Sequence, residues 1–244
     1  MLADPGILRQ VTFLQSGSNR VYASLYVPET TDGVAVLICP SWGAEVALAV
    51  DASHRLAWTL AEQGVACTLY HPPGHLDSTG DPSDVSVDDL VAAAVDSSVL
   101  LREHCRDGEL RLVGIGLGAS VAALAAARLG AHSLVLVEPE VDPAAFFQGL
   151  RRAGARASLR QGDRDAPFGH AVPRALPGRE LTTRVAGALA ALQGRVTAFR
   201  FASSSPTPLP PGIETIDLPG GRTGRRWARR FVEPVASFLV EGAA

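Results

Sequence analysis

Leu112-Val-Gly-Ile-Gly-Leu-Gly-Ala-Ser120 is the stretch on which the fold turns. It joins a short β-branched run to the small-residue segment Val121 to Arg128, which is the strand, turn and helix setting of a G-x-S-x-G elbow. Gly114 and Gly118 fill the outer positions, and Gly116 stands where the serine of such an elbow would be. Glycine has no side chain with which to attack a substrate. The stretch therefore predicts a turn of the kind that presents a nucleophile, with the nucleophile removed.

Outward from this turn, Val34 to Cys39, Val65 to Tyr70, Arg111 to Gly114, Ser133 to Val137 and Val196 to Phe201 read as mainly apolar runs separated mostly by helical patterns. Continuous rather than alternating apolar strands, with helices between them, predict a mainly parallel central sheet flanked by helices on both faces. Ahead of them, Ile7 to Leu14 and Arg20 to Val27 flank Gln15-Ser-Gly-Ser-Asn19 as an antiparallel hairpin. Helices are expected over Ser53 to Gln63, Val87 to Cys105 with Ser86 as N-cap, Ala119 to Leu129, and Arg225 to Val240. The stretch 143–194 loses strand character and is rich in Arg, Gly and Pro, so it is expected to form a short helical cap inserted into a single domain spanning 1–244.

Composition narrows the function classes. Nearly half of the residues are hydrophobic (47%), which allows a large core. No apolar stretch reaches the roughly 18 residues of a membrane span, and Met1-Leu-Ala-Asp4 lacks the features of a signal peptide, so a soluble cytoplasmic chain is expected. A net charge of −3 gives no footprint for nucleic acid. Arg222, Arg225, Arg226, Arg229 and Arg230 form a local cluster that reads as a solvated face. The 22 basic residues are all arginine, which excludes a Schiff-base lysine. Cys39, Cys67 and Cys105 show neither a disulfide nor a zinc spacing. Asp163, Asp165 and His170 fit no recognised metal site, and no metal and no cofactor is expected. Gly114-x-Gly-x-x-Ala119 partly matches a dinucleotide fingerprint, with Glu138 downstream as a ribose acid, but it follows at least two parallel strands instead of opening the first βα unit.

Four segments in order resemble the α/β-hydrolase superfamily over nearly the whole chain: Leu37-Ile-Cys-Pro-Ser-Trp-Gly-Ala-Glu45, His71-Pro-Pro-Gly-His-Leu-Asp-Ser-Thr-Gly-Asp81, the glycine elbow, and Val135-Leu-Val-Glu-Pro-Glu-Val-Asp142. The chain is most similar to small bacterial hydrolases and exosortase-associated hydrolase-like proteins. The resemblance implies a Ser-His-Asp triad, and here all three positions depart from it. The elbow holds Gly116, the strand-seven end Phe201-Ala-Ser-Ser-Ser-Pro206 carries no acid, and Arg222 stands in the neighbourhood of the histidine, none occurring after His170. These groups act as a unit, so acyl-enzyme hydrolysis through them is excluded.

The resemblance also implies backbone oxyanion donors, here the N–H of Leu117 and one from Ser41 or Trp42, and these need no serine. Three residues are candidate bases at the carboxyl edge of the sheet, where open α/β folds place ligands: Glu45 past the strand-three loop, Glu138 at the end of an apolar strand, and His75 in the strand-four loop beside His71. Ser41, Trp42, Gly116, Leu117 and Arg222 are the candidate substrate-binding positions. Each has a structural reading beside it, as a helix-start charge, loop brace, core ring or solvated arginine. The pattern predicts a non-hydrolytic enzyme of natural-product biosynthesis that performs an elimination, such as loss of acetate, or a cyclisation on a small-molecule substrate, free or derived from a carrier protein. Two alternatives stand beside it: a pseudo-hydrolase that only binds, and an esterase or thioesterase with a displaced nucleophile at Ser41, Ser78 or Ser120.

Overall fold

The computed structural model describes residues 6–31, 33–104, 108–161, 178–192, 195–201, 208–219 and 227–241. An eight-stranded sheet has the order β1-β2-β4-β3-β5-β6-β7-β8. Its strands are β1 (Ile7–Ser16), β2 (Asn19–Pro28), β3 (Ala35–Cys39), β4 (Ala66–Tyr70), β5 (Leu110–Ile115), β6 (Ser133–Val137), β7 (Val196–Phe201) and β8 (Glu214–Leu218). Only β2 runs antiparallel to its neighbours, pairing β1 on one side and β4 on the other, and every remaining pair is parallel. The predicted hairpin forms with longer strands and a tighter turn. Ser16 pairs Asn19 across Gly17, whose φ of +54° suits a residue without Cβ.

The helices are α1 (Ala44–Glu62), α2 (Val87–Ser97), α3 (Gly118–Leu129), α4 (Pro143–Gln161), α5 (Arg179–Ala191) and α6 (Val232–Glu241). None among the described residues is long and apolar enough to cross a membrane. Alternation along the strands divides the core in two. Ala35, Leu37 and Cys39 join the layer containing α2, α3 and α5, whereas Val36 and Ile38 join the layer containing α1 and α6. Both faces of the central strands are covered, which is why these strands carry continuous apolar runs.

Ser86 caps α2 as expected, its hydroxyl accepting from the Asp89 N–H while the Asp89 carboxylate accepts from the Ser86 N–H. Helical bounds differ elsewhere. Helix α1 starts at Ala44 rather than near Ser53, directly behind Gly43 at φ 68°. Helix α2 ends at Ser97 and tightens into a 3-10 turn over Ser98–Leu101, and α6 is preceded by another over Trp227–Phe231. The span expected as cap divides as well. Helix α5 buries Leu181, Val185 and Leu189 in the core beside α3 and with α4 belongs to the connection between β6 and β7, of which 162–177 lie outside the described residues.

Close backbone packing fixes where the elbow lies. A Cβ on Gly118 would collide with the carbonyl oxygens of Cys39 and Pro40, and one on Gly114 would come within 2.5 Å of the Ala119 Cα. Both glycines are thus required by contact between the end of β3, the end of β5 and the start of α3. Gly118→Ala is expected to destabilise the protein by roughly 1–3 kcal/mol, the usual cost of overpacking, and Ser86→Ala by about 1 kcal/mol through loss of the cap. Chemical denaturation of each variant measures both.

Candidate functional site

Gly116 turns the chain between β5 and α3 at φ +57°, the left-handed conformation that an elbow requires of its central residue. Its N–H donates to the Val137 carbonyl at 3.0 Å, and its own carbonyl accepts the Glu140 N–H at 3.0 Å, so the turn is braced against the end of β6. Above it stand two side chains from the β3 loop. A Cβ built on Gly116 would lie 2.5 Å from Ser41 Oγ and would collide with Glu45 Oε2. The place of the nucleophile is occupied by this pair.

Ser41 is fully buried, and its hydroxyl donates to Glu45 Oε2 at 2.5 Å. A hydroxyl donating to a carboxylate at this length is a strong, charge-assisted bond. Glu45 lies half-buried in the first turn of α1, where the partial positive charge of a helix N-terminus favours a carboxylate. Leu117, whose N–H follows the elbow position, is fully buried, as is Gly116. The structure thus brings Ser41, Glu45, Gly116 and Leu117 together, and it adds a direct bond between the first two that has no signature in the sequence.

Trp42 is buried in the same loop, with its ring 5.0 Å from that of His75 and 5.1 Å, edge-on, from that of Phe147 on α4. Its Nε1 has no hydrogen-bond partner among the described residues. An unpaired buried donor costs about 1–3 kcal/mol. Trp42 therefore walls the region between the strand-four loop and α4 and brings a polar atom with it.

The histidines serve the loops. His75 Nε2 accepts the Gly43 N–H at 3.1 Å and Nδ1 lies 3.1 Å from the Pro73 carbonyl, which assigns the hydrogen to Nδ1. With both ring nitrogens engaged by backbone, His75 ties the β3 loop to the β4 loop, and its geometry is that of a positioning residue. His71 stacks on Tyr22 with 4.4 Å between centroids, and its Nδ1 is within 3.3 Å of both the Asp77 N–H and the Asp77 carboxylate. Burial lowers its pKa, the Asp77 charge opposing and the Arg9 charge assisting that shift.

Glu138 is buried at the end of β6 with φ 48°, a conformation rare for a residue bearing Cβ. Its Oε1 accepts the Phe201 N–H at 2.5 Å and its N–H donates to the Phe199 carbonyl at 2.8 Å, so it clamps the end of β6 to the end of β7. Beside it on β7, half-buried Arg200 has its pKa lowered by burial, against the opposing charges of Glu138 and Glu140. Arg200 was missed in the sequence because it reads as one polar break in an apolar run. Of the displaced-nucleophile candidates, Ser78 Oγ donates to the His71 carbonyl at 2.7 Å and accepts the Tyr22 N–H at 2.9 Å, and Ser120 Oγ donates to the Glu140 carbonyl at 2.6 Å. Both brace backbone, leaving Ser41 as the serine at the elbow. Arg222, the strand-seven end after Phe201, and Asp163, Asp165 and His170 lie outside the described residues.

The strand order, the single antiparallel strand β2 and the elbow between β5 and α3 define the α/β-hydrolase fold. Solved structures agree. XC6422 from Xanthomonas campestris, an α/β serine hydrolase without lid, superposes with a TM-score of 0.60 at 16% identity over 96% of this chain and 93% of its own. DcsB in complex with its substrate analogue superposes at 0.64 with 14% identity, over 97% and 100%. A thioesterase domain from the curacin biosynthetic pathway superposes at 0.59 with 16% identity, over 96% and 99%. No family model and no curated protein matches the chain.

The electrostatics of the α1 face give a pH dependence. His54 accepts or donates with Tyr26 OH at 2.6 Å, and burial pushes its pKa down from 6.5 to about 4, assisted by Arg9 and His71. A histidine whose folded pKa lies below its unfolded one takes up a proton on unfolding, so its contribution is intact above pH 6.5 and is lost as pH falls towards 4. Stability is expected to decline over that window, by at most about 1.4 kcal/mol per pH unit for one histidine and by less where solvent screens the site. His54→Gln should flatten this part of the profile, as read from denaturation midpoints at successive pH values.

Proposed function

We propose that the protein is a non-hydrolytic enzyme that uses Glu45 to move a proton in an elimination on a small acyl substrate, free or derived from a carrier protein, in natural-product biosynthesis. The observation that carries this reading is the Ser41–Glu45 pair in the volume that the side chain of an elbow nucleophile would take. With glycine at position 116, a held carboxylate stands where the elbow's side chain would be. Ser41 orients that carboxylate by its hydrogen bond. Glu45 removes a proton from the carbon next to the substrate carbonyl. Negative charge gathers on the carbonyl oxygen beside the Leu117 N–H, and the electron pair then expels a leaving group such as acetate from the next carbon, forming the double bond. The proton on Glu45 is returned to solvent or to the departing carboxylate. Similarity to a thioesterase domain from a biosynthetic pathway supports the choice of an acyl substrate; it does so at the level of fold.

A second reading is favoured by the same pair. Ser41 is the serine at the elbow whose hydroxyl meets a carboxylate, so a displaced nucleophile would be Ser41 with Glu45 as its base.

The test is incubation with the N-acetylcysteamine thioester of 3-acetoxybutanoic acid, following acetate by NMR and free thiol with a thiol reagent, beside mass spectrometry after a fluorophosphonate. Acetate release without thiol, no covalent adduct, and a loss of about 100-fold or more in kcat for Glu45→Gln are the expected results. Thiol release abolished in Ser41→Ala, with the adduct on Ser41, would overturn the elimination in favour of a hydrolase. Neither product from the folded protein would overturn it in favour of a binding scaffold.

A further inference from the structure

A cavity of about 570 Å³ lies between the β1–β2 hairpin, α1 and the start of α6, with Arg9, Tyr26, His54, Trp58 and Val232 in its walls. It is separate from the elbow, since His54 follows Glu45 by roughly 13 Å along α1. The volume is in the range of small-molecule sites. We propose that this cavity binds a small aromatic carboxylate, its ring against Trp58 and Tyr26 and its acid on the guanidinium of Arg9.

The aromatic walls are held in place by hydrogen bonds. Trp58 Nε1 donates to Glu62 Oε1 at 2.9 Å, and its ring meets Tyr26 edge-on at 6.4 Å and 86°. Tyr26 OH lies 2.6 Å from His54 Nδ1. Burial keeps both of these partners uncharged, pushing the phenol up to about 12 and the imidazole down to about 4. The phenol and the imidazole thus meet as two neutral groups, joined by one hydrogen bond between the phenol oxygen and Nδ1. Fixed rings and a neutral relay form a preorganised apolar wall that loses little freedom when a planar ligand docks.

The charges select the ligand's sign and number. Arg9 lies 5.5 Å from the Tyr26 centroid and donates to two neutral hydroxyls, Tyr22 OH and Ser24 Oγ, each at 3.3 Å. Among the described residues no carboxylate comes within ion-pairing distance of it. Asp51 is shared between Arg55 at 3.4 Å and Arg229 at 2.6 Å, so two cations there face one anion. Glu62 and Glu233 on the same cavity oppose a polyanion. A single delocalised carboxylate answers Arg9 by a fork of two hydrogen bonds without adding repulsion.

The probe is indole-3-acetate, titrated calorimetrically into the intact chain, with its neutral alcohol tryptophol and inorganic phosphate as controls. Saturable binding of the acid, at least tenfold weaker binding of the alcohol and of phosphate, and at least tenfold weakening in Arg9→Met and Trp58→Leu are expected, with Glu45→Gln within twofold of wild type. Thermal melts of the variants confirm that they are folded. No saturable binding, or folded Arg9→Met and Trp58→Leu that bind as wild type, would overturn the proposal. Loss of binding in Glu45→Gln would place the probe at the elbow and overturn it equally, whereas a failed elimination leaves this titration unaffected.

Discussion

The contact between Gly118 and the carbonyl oxygens of Cys39 and Pro40 is the constraint on which the rest of the structure depends. It brings the start of α3 against the end of β3 at backbone distance, and Gly114 completes the approach from β5. Two neighbouring parallel strands are then locked at their carboxyl ends. The chain between β5 and α3 must turn within Gly116, and the β3 loop must pass directly above it before α1 begins at Ala44. No side chain larger than hydrogen is compatible with this approach at Gly114 or Gly118. Local geometry, sheet order and the location of the candidate site are three consequences of one packing demand.

Polar groups along this edge sort by what they touch. Ser78, Ser120, His75 and Glu138 each direct side-chain atoms at backbone N–H or carbonyl groups, which satisfies the irregular segments beyond the strand ends. Such segments lose the ladder partners of the sheet and need replacements when buried. The Ser41–Glu45 bond is of another kind, since it joins two side chains. Neither strand continuity nor helix capping accounts for it: Gly43, and not Ser41, is the N-cap of α1. It sets two side chains, one buried and one half-buried, against each other directly above the turn at Gly116.

Much of the fold was legible because its signals are properties of residues. Continuous apolar runs marked the central strands, glycines marked the elbow, and Ser86 marked the start of α2. The start of α1 was not legible, because Gly43 caps without a side-chain hydrogen bond and leaves no polar signature. The core face of α5 was not legible, because Leu181, Val185 and Leu189, its buried stripe, are set among polar and small residues. In the candidate site, Glu45 was legible as an acid after a strand. Its bond to Ser41 was not, for it depends on the path of a loop. The bracing role of His75 was equally hidden, since both its partners are backbone atoms, which every residue carries.

The glycine at 116 and the pair above it depend on each other. A residue with a Cβ at this position would enter the space of Ser41 Oγ and Glu45 Oε2, so these two side-chain ends would have to shift to admit it. Glu45 is carried by the first turn of α1, and Ser41 by the β3 loop that His75 ties to the β4 loop through the Gly43 N–H. A side chain introduced at 116 would thus have to repack this pair before reaching the space above the turn. The steric demand at position 116 is consequently shared by the β3 loop, the first turn of α1 and the turn itself.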